Sequence, residues 1–123
     1  MPKPPLVSVV DDDDSVRESL PDLLQMMGYA ARVFESAEAF LASDCIDQTA
    51  CLLLDVAMPG MSGLDLQRTL NDAGHRMPIV YITARVDETI RQRMLAMGAV
   101  ACLFKPFTDS ALQQVLDTVF PGR

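Results

Sequence analysis

Apolar residues in this chain come in short unbroken runs that alternate with stretches of helical spacing, and the alternation repeats five times. Leu6–Val10 reads as a short buried strand. From Ser15 to Met27 the apolar positions Val16, Leu20, Leu23, Leu24 and Met27 mark one face of a helix, with Gly28 as its stop. Pro21 falls inside that helix and is expected to weaken or kink it, since proline lacks the backbone donor and crowds the preceding turn. Tyr29–Phe34 is a second strand, and Ser36 suits the N-cap of a short helix over Ala37–Ala42. Cys51–Leu54 is a third strand. Ser62-Gly63-Leu64-Asp65 has the capping-box spacing and opens a helix that runs to Asn71 or Asp72 and ends at Gly74. Pro78–Ile82 is a fourth strand, Asp87–Met97 a helix stopped by Gly98, and Ala99–Phe104 a fifth strand. Thr108 or Asp109 caps a last helix that ends near Phe120.

Strands that read as largely apolar runs, separated by helices, predict an α/β fold with a parallel sheet covered on both faces. Right-handed crossovers then bring the C-terminal ends of all strands to one edge. That edge collects Asp11–Asp14, Asp55, Thr83 and Lys105, while the strand interiors stay apolar. Ligands of open α/β sheets bind in the crevice at this edge. Asp55 ends the run Cys51–Leu54 and is followed by the Met58-Pro59-Gly60 loop. Asp11 and Asp12 end the first strand. If those strands are parallel neighbours, their carboxylates make a hard oxygen site suited to Mg²⁺.

Composition narrows the picture. Half of the 123 residues are apolar, enough for one domain with a real core. The net charge of −7 argues against direct nucleic-acid binding by this domain. No apolar run approaches the roughly 20 residues that span a bilayer. Met-Pro-Lys-Pro-Pro lacks the apolar core of a signal peptide, so a cytoplasmic location is expected. Three cysteines without a CxxC pair point to reduced thiols, and a single His without a His/Cys cluster argues against zinc.

A carboxylate nucleophile, a divalent cation, a hydroxyl (Thr83) and a point charge (Lys105) together fit phosphoryl transfer, where positioning and charge neutralisation dominate. An aspartate nucleophile would give an aspartyl phosphate.

The chain resembles the receiver domain of two-component response regulators, from about Leu6 to Phe120. The motifs are Val9-Val10-Asp11-Asp12, Leu54-Asp55-Val56-Ala57-Met58-Pro59-Gly60, Ile82-Thr83-Ala84 and Lys105-Pro106-Phe107, in order and each at a strand end. Ser36-Ala37-Glu38-Ala39-Phe40-Leu41 and Met61-Ser62-Gly63-Leu64 are most similar to the FixJ-like branch. The resemblance implies a single receiver domain over 1–123, structured from about 6 to 120. Its fold would be a doubly wound, flavodoxin-like parallel sheet of order 2-1-3-4-5. It implies Asp55 as phosphoacceptor and Mg²⁺ held by Asp12 and Asp55, by Asp11 through water and by the Ala57 backbone carbonyl. Thr83 and Lys105 would contact the phosphoryl group, and the Lys105–Pro106 bond would be cis. The donor would be a phosphohistidine on a sensor histidine kinase. The switch would act on the face of the fourth helix, fifth strand and fifth helix, with phosphorylation-dependent homodimerisation. Transcription would be controlled through an output domain outside this chain. The domain would be a switch that assists its own phosphorylation and dephosphorylation, not an enzyme with a separate substrate.

The chain departs from the family pattern at Cys102, where many receivers carry a Tyr or Phe that reports the movement of the threonine. Phe104 should share its strand face by alternation. The acidic run is also longer than usual, which makes Asp14 a first-turn helix residue near the dipole. Outside the motifs, Met26, Met27, Met94 and Met97 read as core or gap-filling, Tyr81 as core, and Cys51 and Cys102 as buried thiols. Cys45 reads as more exposed, His75 as an exposed turn residue, and Arg91 with Arg93 as a basic spot on the fourth helix. Two rival readings remain. One is a Mg²⁺-dependent phosphohydrolase of the haloacid-dehalogenase type, with its nucleophile after the first strand. The other is a receiver-like module that binds partners without phosphate.

Overall fold

The computed structural model describes residues 3–84 and 88–121. Its strands are β1 (Leu6–Val10), β2 (Ala30–Phe34), β3 (Thr49–Asp55), β4 (Ile79–Thr83) and β5 (Ala101–Phe104), all parallel, in the order β2-β1-β3-β4-β5. The helices are α1 (Asp14–Met26), α2 (Ala37–Leu41), α3 (Gly63–Asp72), α4 (Glu88–Ala96) and α5 (Asp109–Val119). The sheet order matches the sequence expectation. The expected start of the fourth helix at Asp87 lies outside the described residues.

Side chains alternate along each strand, and the core divides accordingly. Val10, Leu52, Leu54, Ile79 and Tyr81 pack under α2, α3 and α4, with Phe40, Leu66, Leu70 and Met94. Val7, Val9, Cys51, Leu53, Val80, Ile82 and Leu103 pack under α1 and α5, with Leu20, Leu24, Leu112 and Leu116. Each such leucine, when fully buried, is worth roughly 1.5–3 kcal/mol of transfer free energy. At the far end of the core, the rings of Tyr29, just before β2, and Phe120, just after α5, meet at 5.3 Å.

The caps follow the sequence. Ser36, Ser62 and Thr108 each accept a backbone N–H in the first turn of α2, α3 and α5, and Ser62 with Asp65 completes a reciprocal capping box. Gly28, Gly74 and Gly98 follow helix ends at positive φ, where a residue with a Cβ is strained.

α1 is a single helix of 13 residues that runs through Pro21, as its periodicity predicts, with Leu20 and Leu24 buried on either side of it. Several other expectations need correction. Met26 is 84% exposed. It lies two residues past Leu24, about 200° around the helix from the core face. Cys45 is only 2% exposed, because the chain folds it inward ahead of a single 3₁₀ turn, Ile46–Gln48, that the apolar pattern does not announce. β3 begins at Thr49 rather than Cys51. The Thr49 hydroxyl lies 2.7 Å from Ser8 Oγ and donates to Cys45 O at 2.7 Å, so two hydroxyls are satisfied inside the sheet. Cys102 is half-buried rather than sealed in. His75 is partly buried, with Nδ1 3.5 Å from Asp47 Oδ1.

Candidate functional site

Strand register brings the site together. Val10 of β1 pairs with Leu54 of β3, so Asp11 and Asp55, the next residues, stand side by side. Asp55 in turn pairs with Ile82, and Thr83 with Phe104. Lys105 continues β5 and donates its backbone N–H to Thr83 O at 2.8 Å. Its peptide bond to Pro106 is cis.

Asp11 is fully buried. Its Oδ1 accepts the Asp13 backbone N–H at 2.9 Å, and its carbonyl accepts Arg17 Nη1 at 2.9 Å. Its Oδ2 lies 2.8 Å from Lys105 Nζ, an ion pair, yet no donor is directed at it as a hydrogen bond. Lys105 Nζ also stands 4.0 Å from Asp55 Oδ2 and 4.0 Å from Asp13 Oδ2. The lysine therefore sits closer to Asp11 than to Asp55. Carboxylate oxygens of Asp11, Asp12 and Asp55 all lie within 4.8 Å of one another, with Asp12 exposed. Ala57 is exposed and lines a cavity of about 280 Å³ that also takes in Asp55, Thr83, Ile90, Arg91, Met94, Phe104 and Lys105. The five strand-end positions singled out in the sequence thus share one edge, and Ala57 borders it.

Crowding sets the protonation. Burial first, then the negative charge of Asp11, push the Asp55 carboxyl up to about 7, against the pull of Lys105. Burial acts to lower Lys105, but its contacts with Asp11, Asp55 and Asp13 outweigh it and hold the ammonium above its ordinary value. The hydrogen bonds from Ser15 hold exposed Asp13 low. A site that disfavours the charge of one carboxylate and leaves another carboxylate oxygen without a directed donor suits a divalent cation, which relieves both.

Two residues at the site carry more than the sequence assigned them. Asp13 is the N-cap of α1 and the backbone donor to Asp11. Arg17 reaches back from α1 to Asp11 O while pairing with Asp14. The spacing of Arg17 three residues past Asp14, on a helix that starts there, is the signal that could have found it. On the α1 side an open groove is lined by Val16, Leu23, Met26, Phe107, Asp13 and Lys105, among others.

The sequence matches the family described as "Response regulator receiver domain" over residues 7–117. It is 43% identical over 114 residues to nodulation protein W of Bradyrhizobium diazoefficiens, covering 93% of this chain and 49% of that protein. It is 41% identical over 112 residues to the transcriptional regulatory protein FixJ of Azorhizobium caulinodans, covering 91% of this chain and 53% of FixJ. The chain thus spans about half the length of the curated relatives it matches. Among solved structures, FixJ-N superposes with a TM-score of 0.83 at 34% identity, covering 96% of this chain and 94% of that one. The response regulator StyR superposes at 0.86 and 43% identity, covering 94% of this chain and 58% of that one. Among the described residues no helix is long and apolar enough to cross a membrane. A match that begins in β1 and ends in α5, joined to the sheet order and the acidic edge, places this chain in the response regulator receiver domain family, close to its FixJ-like members.

Proposed function

We propose that Asp55 is the phosphoacceptor of this receiver domain and that the chain acts as one switching unit. The observation that carries the reading is the meeting of Asp11, Asp12 and Asp55 oxygens within 4.8 Å, with Lys105 Nζ 4.0 Å from Asp55. Asp12 and Asp55 would hold Mg²⁺ directly, Asp11 through water, and the Ala57 carbonyl would complete the protein's share. Bound there, the cation would supply positive charge to the phosphoryl oxygens and favour the ionised form of Asp55. A carboxylate oxygen of Asp55 attacks the phosphorus of a phosphohistidine on the partner sensor kinase. The P–N bond breaks, and the leaving imidazole nitrogen keeps the electron pair and takes a proton from water. Lys105 follows the new charge, and the Thr83 hydroxyl donates to a phosphoryl oxygen.

Asp55 opens onto the cavity beside Thr83, whereas Asp11 is fully buried and ion-paired with Lys105. An attacking carboxylate needs access, which favours Asp55 over the nucleophile position of a haloacid-dehalogenase-like enzyme. No separate substrate is turned over, and return to the resting state is hydrolysis of the aspartyl phosphate.

The output face would be that of α4, β5 and α5, where Leu95 of α4, Val100 just before β5 and Phe104 of β5 are exposed. Phosphorylation would pair two copies through it and so regulate transcription through an attached output domain. Cys102 has no ring to swing, and Phe104, on the same strand face and 39% exposed, would carry part of the signal. Incubation with acetyl phosphate and Mg²⁺ followed by intact-mass measurement tests the core of the reading. The protein should gain one phosphoryl group and Asp55→Asn none; a full gain in the variant overturns the assignment.

A further inference from the structure

The last carbonyls of any helix lack intrahelical donors, and one at the end of α4 is met from another helix. Met97 O accepts two side-chain amides of α3, Gln67 Nε2 and Asn71 Nδ2, each at 3.1 Å. A carbonyl only accepts, so Gln67 must present its NH₂ to Met97 and turn Oε1 the other way. That oxygen receives the Tyr81 hydroxyl at 2.7 Å. Tyr81 Oη also lies 3.1 Å from Gly63 O; the hydroxyl has one proton, and the shorter contact takes it. Both side chains are sealed, Gln67 at 1% exposure and Tyr81 at 0%. Burial, with Cys102 adding to it, pushes the Tyr81 phenol upward, so it stays a donor.

The other end of this chain of contacts is the loop after Asp55. Gly63 N–H donates to Val56 O at 3.0 Å. Gly63 passes so close to β3 that a Cβ on it would stand 2.3 Å from Asp55 O and 3.0 Å from Tyr81 Cε1. Asp55, Gly63, Tyr81, Gln67 and Met97 are therefore in unbroken contact through the α3–α4 side of the core. A buried polar network that is fully satisfied is rigid, and losing one member leaves the others unpaired in a dry interior.

We propose that Tyr81 and Gln67 are positioning residues, a buried joint between the loop after Asp55 and the C-terminal end of α4, so that α4 answers phosphorylation by pivoting about Met97. The inference rests on the receiver reading with Asp55 as acceptor. The paired substitution Tyr81→Phe with Gln67→Leu removes both members of the bond at once, while Met97 O keeps Asn71. Residue-resolved amide hydrogen exchange is measured on the free protein and on protein loaded with beryllofluoride and Mg²⁺. In the free form the amides of Met97, Gly98 and Ala99 should exchange at least roughly fivefold faster in the paired variant, the worth of one net hydrogen bond. On loading, the wild-type protein should keep the rates at Met97–Ala99 while those at Ile90 and Arg91 change. In the variant the change should spread to Met97–Ala99. Equal rates at Met97–Ala99 in variant and wild type overturn the joint, and so does a wild-type change there as large as at Ile90. Acetyl phosphate labelling, read by mass, should be intact in the paired variant. Should Asp55 take no label in wild type, the receiver reading fails by itself, and the free-form exchange rates still decide the joint. If circular dichroism shows the paired variant unfolded, Gln67→Met is read by the same rates and the same outcomes.

Discussion

The two faces of the sheet differ at the edge where the site lies. Toward α1 and α5 stand Asp11, Asp55 and Lys105, by the same alternation that points Val9, Leu53 and Leu103 into that half of the core. The charge of Asp11 is locked: its carboxylate is held by the Asp13 N–H and by Lys105, and its carbonyl by Arg17. Toward α4 stand Thr83, Cys102 and Phe104, following Tyr81 and Met94. Here a thiol occupies the position of a ring, a cavity of about 280 Å³ reaches from Asp55 to Arg91, and apolar side chains meet water. One face is built to hold a charge distribution before any ligand arrives, and the other leaves room for side chains to change place. Preorganised charge speeds a reaction because nothing need reorient in the transition state. A switch needs the opposite, an element with two packings of similar energy.

The hardest test of this contrast is Gly63, which sits where the two faces share a backbone. Gly63→Ala forces a Cβ against Asp55 O, an overpacking that neither β3 nor Tyr81 can yield to. It should cost about 3 kcal/mol in urea unfolding and should cut phosphoryl uptake as well. A stability near wild type would show the seam to be soft. Next in size is the cation. At a hundredfold excess over its dissociation constant, Mg²⁺ should stabilise the protein by about 2.7 kcal/mol, read as a rise in melting temperature. Asp12→Ala should abolish that rise, and an undiminished rise would move the cation off the charged face.

Acidity gives a third, smaller effect. In chelator, Asp55 has its carboxyl near 7 in the folded protein against 3.8 when unfolded. Between those values the folded state binds more protons than the unfolded state. The stability this carboxyl contributes is therefore whole below about pH 4 and lost as pH rises through about 7. Wild type should fall behind Asp55→Asn in melting temperature over that range, and Mg²⁺ should close the gap near neutrality. Parallel curves in chelator would mean that the face does not strain Asp55. Smallest in stability is Phe104→Ala, below about 1 kcal/mol for a side chain already part-exposed. Sedimentation should nevertheless show weaker dimerisation of the beryllofluoride form, with Asp55 phosphorylation unchanged. Unchanged dimerisation would leave the signal to α4 alone.

What was legible in the sequence divides along similar lines. Strand interiors could be read because a parallel strand buried on both faces is apolar at every position, as in Cys51–Leu54. The edge could be read because Asp11, Asp55, Thr83 and Lys105 each follow such a run directly. Polar residues that belong to the interior could not. Spacing alone does not pair the hydroxyls of Ser8 and Thr49, which register brings together, nor set Gln67 beside Tyr81 and Met97 O, which the packing of α3 does. Residue type counts a methionine as apolar and so puts Met26 inside, where the helical angle from Leu24 puts it out. The partnership of Lys105 with Asp11 ahead of Asp55 is a matter of about an ångström, below anything spacing can express.

The ring contact between Tyr29 and Phe120 has a practical side. It ties the end of α5 to the strand-starting edge of the sheet, and strands of five residues put that edge roughly 16 Å from Asp55. A fluorescent protein or affinity tag joined after Pro121 would therefore hang from the pole opposite Asp55. It would leave the acidic edge and the α4–β5 surface open, so the domain can be labelled after Pro121 for single-molecule work without shielding what is being watched.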